Sequence, residues 1–84
     1  MRVTVRLFAR LRDIAGASEL VREVESGATI RTVWTGLARE FPAFGPYGTS
    51  ISSALNADYA RMDQELRDGD EVAFLPPVSG GASS

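Results

Sequence analysis

The residues best suited to chemistry stand near the end of the chain, in FLPPVSGGASS (74–84). Leu75 precedes a proline and is therefore held extended. Pro76 and Pro77 carry no N–H and cannot donate to a sheet ladder, so the chain must leave any sheet here, stiffened toward polyproline II. From Pro76 to Gly81 such a segment reaches roughly 20 Å at about 3.3 Å per residue, enough to enter a deep cleft in another protein. Gly80 and Gly81 have no side chain to clash in a narrow channel. A carboxylate on Gly81 would be an unhindered nucleophile toward the α-phosphate of ATP, and the resulting acyl-adenylate would be open to attack by sulfur or an amine. Composition alone suits an inert Gly/Ser extension. The whole run DGDEVAFLPPVSGG (68–81) joins a turn, a strand, a rigid double proline and a glycine pair, which suits a carboxylate presented on an arm to partner active sites.

The rest of the chain offers little other chemistry. It has 84 residues, 44% of them hydrophobic, which allows one small domain with a single modest core. Cys and His are both absent. That removes disulfides, thiolate nucleophiles and the commonest acid–base and metal-binding side chain. Lys is absent too, since all nine basic residues are Arg. No cofactor or metal site is expected. A formal charge of -2 gives no electrostatic case for nucleic acid. The apolar stretches are too short to cross a bilayer and the N-terminal region is studded with Arg, so a cytoplasmic location with no membrane partner is expected. Chemistry that involves this chain is expected to be carried out on it by another protein.

The elements that must carry the arm can be read from periodicity. RVTVRLF (2–8) alternates, with Val3, Val5 and Leu7 on one face and Arg2, Thr4, Arg6 and Phe8 on the other, which predicts a half-buried strand. Residues 9–15 suit a short helical turn ended by Gly16. SELVREVE (18–25) suits a second strand, hairpin-paired to the first, whose inward face the pattern leaves unresolved. Thr29 is a candidate N-cap for a helix whose apolar stripe is Ile30, Val33, Trp34, Leu37, Ala38 and Phe41, with Pro42 as its stop. Trp34 belongs to that stripe and is expected in the core. AFGPYGTS (43–50) reads as a loop, ISSALN (51–56) as a strand, DYARM (58–62) as a short strand or edge segment, QELRDGD (64–70) as a turn region and EVAFL (71–75) as the last strand. One sheet on one helix buries both apolar faces, so the fold class is α+β. The first and last strands could lie side by side mid-sheet in a β-grasp arrangement. The expected layout is a domain over 1–75 and an extended, flexible tail over 76–84.

The run 68–81 resembles the C-terminal signature of the small subunits of molybdopterin synthase, a family of ubiquitin-like sulfur carriers. RLFARLRDIAG (6–16) and LNADYARMDQELRDGDEV (55–72) resemble other parts of that family, so the similarity spans nearly the whole chain. It implies a β-grasp fold with a mixed sheet of four to five strands on one main helix. It also implies that an adenylating enzyme related to the ubiquitin activators charges Gly81, next to Gly80, and that sulfur transfer yields a thiocarboxylate. The tail would then enter the large subunit of molybdopterin synthase, in a heterotetramer, and supply sulfur for the molybdopterin dithiolene. On this view the chain is a non-catalytic carrier, with catalysis in the large subunit. Phe8 and Leu75, both in outward phase, would form an exposed patch if the two strands are neighbours, and Tyr59 matches the family's third patch position. With Pro76, Pro77, Val78 and Ser79, these are the expected partner-binding residues.

The sequence departs from the family at its end. Members usually stop at the second glycine, whereas Ala82, Ser83 and Ser84 follow Gly81 here and lock its carboxyl in a peptide bond. A protease would trim these residues, or they are artefactual, or the chain is a paralogue that only binds. Alternative functions are a carrier for thiamine, cysteine or another sulfur pathway, a ubiquitin-like protein modifier, and a binding-only β-grasp module.

Overall fold

The computed structural model describes residues 1–77. The chain forms β1 (Arg2–Leu7), α1 (Ala9–Ala15), β2 (Glu19–Glu23), α2 (Ile30–Glu40), a 3₁₀ segment (Pro42–Tyr47), β3 (Ser52–Leu55), β4 (Asp58–Tyr59) and β5 (Glu71–Leu75). The sheet order is β2-β1-β5-β3-β4. The two central strands, β1 and β5, are parallel; β1–β2, β3–β5 and β3–β4 are antiparallel. First and last strands therefore meet mid-sheet, and with α2 against one face this is the β-grasp arrangement.

Period-two alternation sets the inner face. Val3, Val5 and Leu7 of β1 and Val72 and Phe74 of β5 are buried, and the parallel register sets Val5 beside Val72 and Leu7 beside Phe74. The helical stripe covers them: Ile30, Val33, Trp34 and Leu37 are buried, with Ala38 and Phe41 half-buried at the C-terminal end. The Trp34 ring lies 5.1 Å from Phe74 and 5.4 Å from Phe44, centroid to centroid, so it serves as a core bridge between sheet and helix layers.

Thr29 caps α2 as its sequence position suggests. Its Oγ1 accepts from the Thr32 N–H at 3.3 Å, and its own N–H donates to Thr32 Oγ1 at 3.1 Å. Two further N–H groups at the helix start are satisfied from outside, Ile30 by the Gln64 carbonyl at 3.0 Å and Arg31 by that of Met62 at 2.8 Å. Leu66 N–H donates to the Ala28 carbonyl at 2.9 Å, and Leu66 is buried. The stretch 62–66 is thus a strap that holds the helix start, not merely a turn.

Other expectations need correction. The stretch 43–50 is not a plain loop, because Pro42–Tyr47 forms a 3₁₀ helix that drives Phe44 fully into the core. Phe44 stacks on Phe41 at 5.3 Å as well as on Trp34, and this aromatic column offsets the weak hydrogen bonding of a 3₁₀ turn. The segment 58–62 contributes only Asp58–Tyr59 as strand. The turn before it places Asn56 at φ 51 and Ala57 at φ 76, a left-handed pair that sharply reverses β3 into β4. Gly69, at φ 87, makes the turn into β5, where its N–H reaches the Arg2 carbonyl at 2.8 Å.

Phe44→Ala is expected to cost about 3–5 kcal/mol, the range for truncating a buried aromatic, out of a total that is typically about 5–15 kcal/mol. Chemical denaturation followed by Trp34 fluorescence measures it; a loss below about 1 kcal/mol would mean that the 3₁₀ segment does not hold the core closed.

Candidate functional site at the end of the central strand

β5 is bonded on both sides, to β1 and to β3, and residues 76–84 follow it in sequence. Its start is tied down by a small polar network. The Asn56 Oδ1 accepts from Glu71 N–H at 2.9 Å, the Asn56 N–H donates to the Glu71 carbonyl at 2.8 Å, and the Asn56 amide donates to Asp70 Oδ1 at 3.0 Å. Asp70 Oδ2 in turn accepts from the Arg67 N–H at 2.8 Å. The other end, Leu75-Pro76-Pro77, is where the ladder stops: Leu75 and Pro76 are half-buried and Pro77 is exposed.

The outer face of the sheet surrounds that end. Phe8 follows the last β1 residue and keeps an extended backbone, φ -127 and ψ 155, so alternation continues through it and its ring points away from the core. Leu7 pairs with Phe74, so Phe8 and Leu75 are the next step along the same two strands. Phe8 is 38% exposed, against 1% for Leu7 and 0% for Phe74. The outer row one step back runs Glu19, Arg6, Ala73, Ala54 and Tyr59 across all five strands. Tyr59 is 82% exposed. The structure thus brings Phe8 and Leu75 together. It sets Tyr59 on the same face but two strands from β5, about 10 Å at the usual strand spacing, with small Ala54 and Ser52 between.

Arg6 stands in the middle of this face. Its Nη1 is 3.1 Å from Glu71 Oε2, its Nε is 4.0 Å from Glu19 Oε1, and its guanidinium carbon lies 5.8 Å from the Phe8 ring centroid. Both ion pairs are solvent-exposed and worth little for stability, and the guanidinium borders the Phe8 ring at cation–π distance. Along the same β1–β2 rows, the Arg2 guanidinium pairs with Glu23 at 2.8 Å, and the hydrogen bond and charge of that carboxylate hold Arg2 protonated even more firmly than usual. Among the described residues no group of three or more His, Cys, Asp or Glu side chains could hold a metal ion. Nor is any helix among them long and apolar enough to cross a membrane.

Val21 is an outer-face residue that sequence reading missed. It is 51% exposed opposite Thr4. Both phases of ELVRE contain an apolar residue, so alternation alone does not say which is inward; the hairpin register, with Val3 opposite Arg22 and Val5 opposite Leu20, decides it. Val78, Ser79, Gly80 and Gly81, the remaining expected site residues, lie outside the described residues.

Comparison with known proteins places this geometry. The ThiS family model matches residues 5–81. This chain belongs to the ThiS family. The span matched takes in Phe8, Tyr59, Leu75 and the Gly80-Gly81 pair of the ThiS-type tail. The molybdopterin synthase sulfur carrier subunit of Chlamydomonas reinhardtii is 39% identical over 83 residues, covering 96% of this chain and all of that protein. Small archaeal modifier protein 1 of Haloferax volcanii is 33% identical over 84 residues, covering 90% of this chain and 97% of that protein. A putative molybdopterin converting factor subunit 1 from Pyrococcus furiosus superposes with a TM-score of 0.82 at 32% identity, over 93% of this chain and 99% of that one.

Adjacent residues of β1 and its extension should separate folding from surface. Leu7→Ala is expected to cost about 2–5 kcal/mol, whereas Phe8→Ser should cost about 1 kcal/mol or less. Equal losses in urea denaturation would put Phe8 in the core and remove it from the site.

Proposed function

We propose that this chain is the sulfur carrier of a molybdopterin synthase. The observation that carries this is the 39% identity to the Chlamydomonas reinhardtii carrier subunit along that protein's whole length. The family match through Gly81 and the apolar Phe8–Leu75 patch beside the strand end support it.

The chemistry needs only a carboxylate at Gly81. After Ala82–Ser84 are removed by a trimming protease, that carboxylate attacks the α-phosphate of ATP in an adenylating partner and displaces pyrophosphate. A hydrosulfide equivalent then displaces AMP and leaves the thiocarboxylate. The charged tail, with Pro76, Pro77, Val78 and Ser79 as its stem and Gly80 as its narrow neck, enters the large subunit, where its sulfur is transferred to the pterin precursor. Phe8, Leu75 and Tyr59 hold the domain against the large subunit meanwhile. The dependence on ATP supports a cytoplasmic carrier.

A second possibility rests on the 33% identity to the Haloferax volcanii modifier protein. In it the same activated Gly81 is captured by a lysine amine of a target protein. The intact mass of the untagged protein from its native host separates the two. Loss of Ala82–Ser84 with one oxygen exchanged for sulfur supports the carrier. Target proteins raised by the mass of the trimmed chain support the modifier. A wholly full-length population with Gly81 locked in its peptide bond would sink both.

Docking gives a further check. The double substitution Phe8→Ser with Leu75→Ser should weaken binding to the large subunit by at least about tenfold, equivalent to roughly 1.4 kcal/mol, with the fold retained by circular dichroism. Unchanged affinity in titration calorimetry would exclude the patch as the docking surface.

A further inference from the structure

The sheet has a second surface, built to accept an extended chain, at its β2 edge. β2 is the terminal strand of the order β2-β1-β5-β3-β4. Its even-numbered residues bond inward: Val24 N–H donates to the Met1 carbonyl at 2.8 Å, and Ser18 O accepts from Leu7 N–H at 2.9 Å. In an antiparallel ladder the alternate residues then point their N–H and C=O groups away, so Glu19, Val21 and Glu23 present theirs at the open edge. The Val21 carbonyl accepts from Arg22 Nη1 at 3.2 Å, an exposed contact that an incoming N–H replaces one for one.

Beneath that edge lies a groove of about 650 Å³ between β2 and α2, with Val24, Val33, Gly36 and Leu37 along its apolar side. Gly36 is the telling residue. It sits in the middle of α2, where glycine costs a helix about 1 kcal/mol relative to alanine. A Cβ built there would meet nothing within 4 Å, so no packing inside the domain requires its absence. A bare helix backbone facing an open groove fits close approach by another chain.

Charge says what that chain is like. Around the edge stand Glu19, Glu23, Glu25 and Glu40, together with Arg22, which is tied to Glu40 at 2.6 Å, Arg2 and Arg6 across the hairpin, the Met1 ammonium 2.7 Å from the Val24 carbonyl, and Arg31 and Arg39 beyond Gly36 on α2. Arg6 is shared with Glu71. On the edge strand itself the outward side chains are Glu19, Val21 and Glu23, so an added strand meets carboxylates first. Self-pairing of two β2 edges about Val21 would set Glu19 against Glu23 of the second copy, a repulsive register.

We propose that the β2 edge and the groove below it bind an extended basic segment of a partner protein by strand addition. Its alternate apolar side chains enter the groove over Gly36, and its intervening Lys or Arg side chains face Glu19 and Glu23. The groove lies toward the Arg2 end of β1 and the Phe8–Leu75 patch at the other, about 15 Å away along the strand. This proposal does not depend on what Gly81 carries.

The test uses the full-length ¹⁵N-labelled protein and an acetylated, amidated nonapeptide that alternates lysine with valine or leucine. Amide shifts should concentrate at Val21–Glu25 and Val33–Leu37. Binding should be lost when alternate peptide amides are N-methylated or when glutamate replaces lysine. Gly36→Leu should fold normally, there being space for the side chain, and should weaken binding by at least about tenfold. Gly36→Ala, by contrast, should raise the thermal midpoint. No shifts at millimolar peptide, shifts centred on Phe8 and Leu75, indifference to N-methylation, or β2 shifts that follow protein concentration without peptide would each overturn the proposal, the last by naming a second copy as the occupant.

Discussion

The parallel pairing of β1 and β5 is the constraint on which everything else rests. It joins the two ends of the domain at the centre of the sheet, with Val5 beside Val72 and Leu7 beside Phe74. Such a contact closes a long loop and carries a matching entropic cost, so it forms only because burial rewards it at once. Val3, Val5, Leu7, Val72 and Phe74 supply that burial, all of them 1% exposed or less. The same register sends the alternate residues of each strand outward. Parallel strands are normally covered on both faces, yet here the outer face of the central pair carries Phe8, Arg6, Ala73 and Leu75 with no layer of the described residues over it. The domain is complete as a fold and incomplete as a surface, which is what a docking module requires.

That constraint also explains where the arm is rooted. A segment that enters a partner's cleft, as proposed for this one, needs a root that does not peel. β5 is held by ladders on both flanks, and its first residues are fastened by Asn56 and Asp70. The ladder then stops at the prolines, where donors run out. No edge strand could provide such a root, and the two edges, β2 and the two-residue β4, are left free for other roles.

Much of this was legible in the chain before any coordinates. The strict alternation of RVTVRLF and EVAFL, the Thr29 cap and the helical stripe each carry a single period, and each element lies where its period put it. Phe8 and Leu75 were legible as outward for the same reason. What was hidden lacked a period. Phe44 sits between Gly and Pro signals that read as a loop, and only the stacking partners Trp34 and Phe41 show why that loop coils and goes inside. Leu66 is a single apolar residue in a polar run, and its burial follows from a strap across the start of α2 that local sequence does not reveal. Tyr59 was legible as exposed surface by resemblance alone, while its two-strand offset from Leu75 needed the sheet order.

The location of the anomalies tells how function and folding share so small a chain. An enzyme usually stores its violations of folding rules inside, as buried charges or unpaired polar groups near the reacting centre. Here the described interior has none: Ser53 is its one buried polar residue, its Oγ donates to the Ala60 carbonyl at 2.7 Å, and no buried side-chain polar atom lacks a partner. The violations are all on the skin, in the exposed Phe8, Val21 and Tyr59 and in a mid-helix glycine with empty space around it. That distribution follows if the reacting group is a carboxylate at the chain's end. Such a group needs no cavity, no tuned acid and no metal, so the core is free to serve stability alone. Selection for function then acts on what other proteins touch.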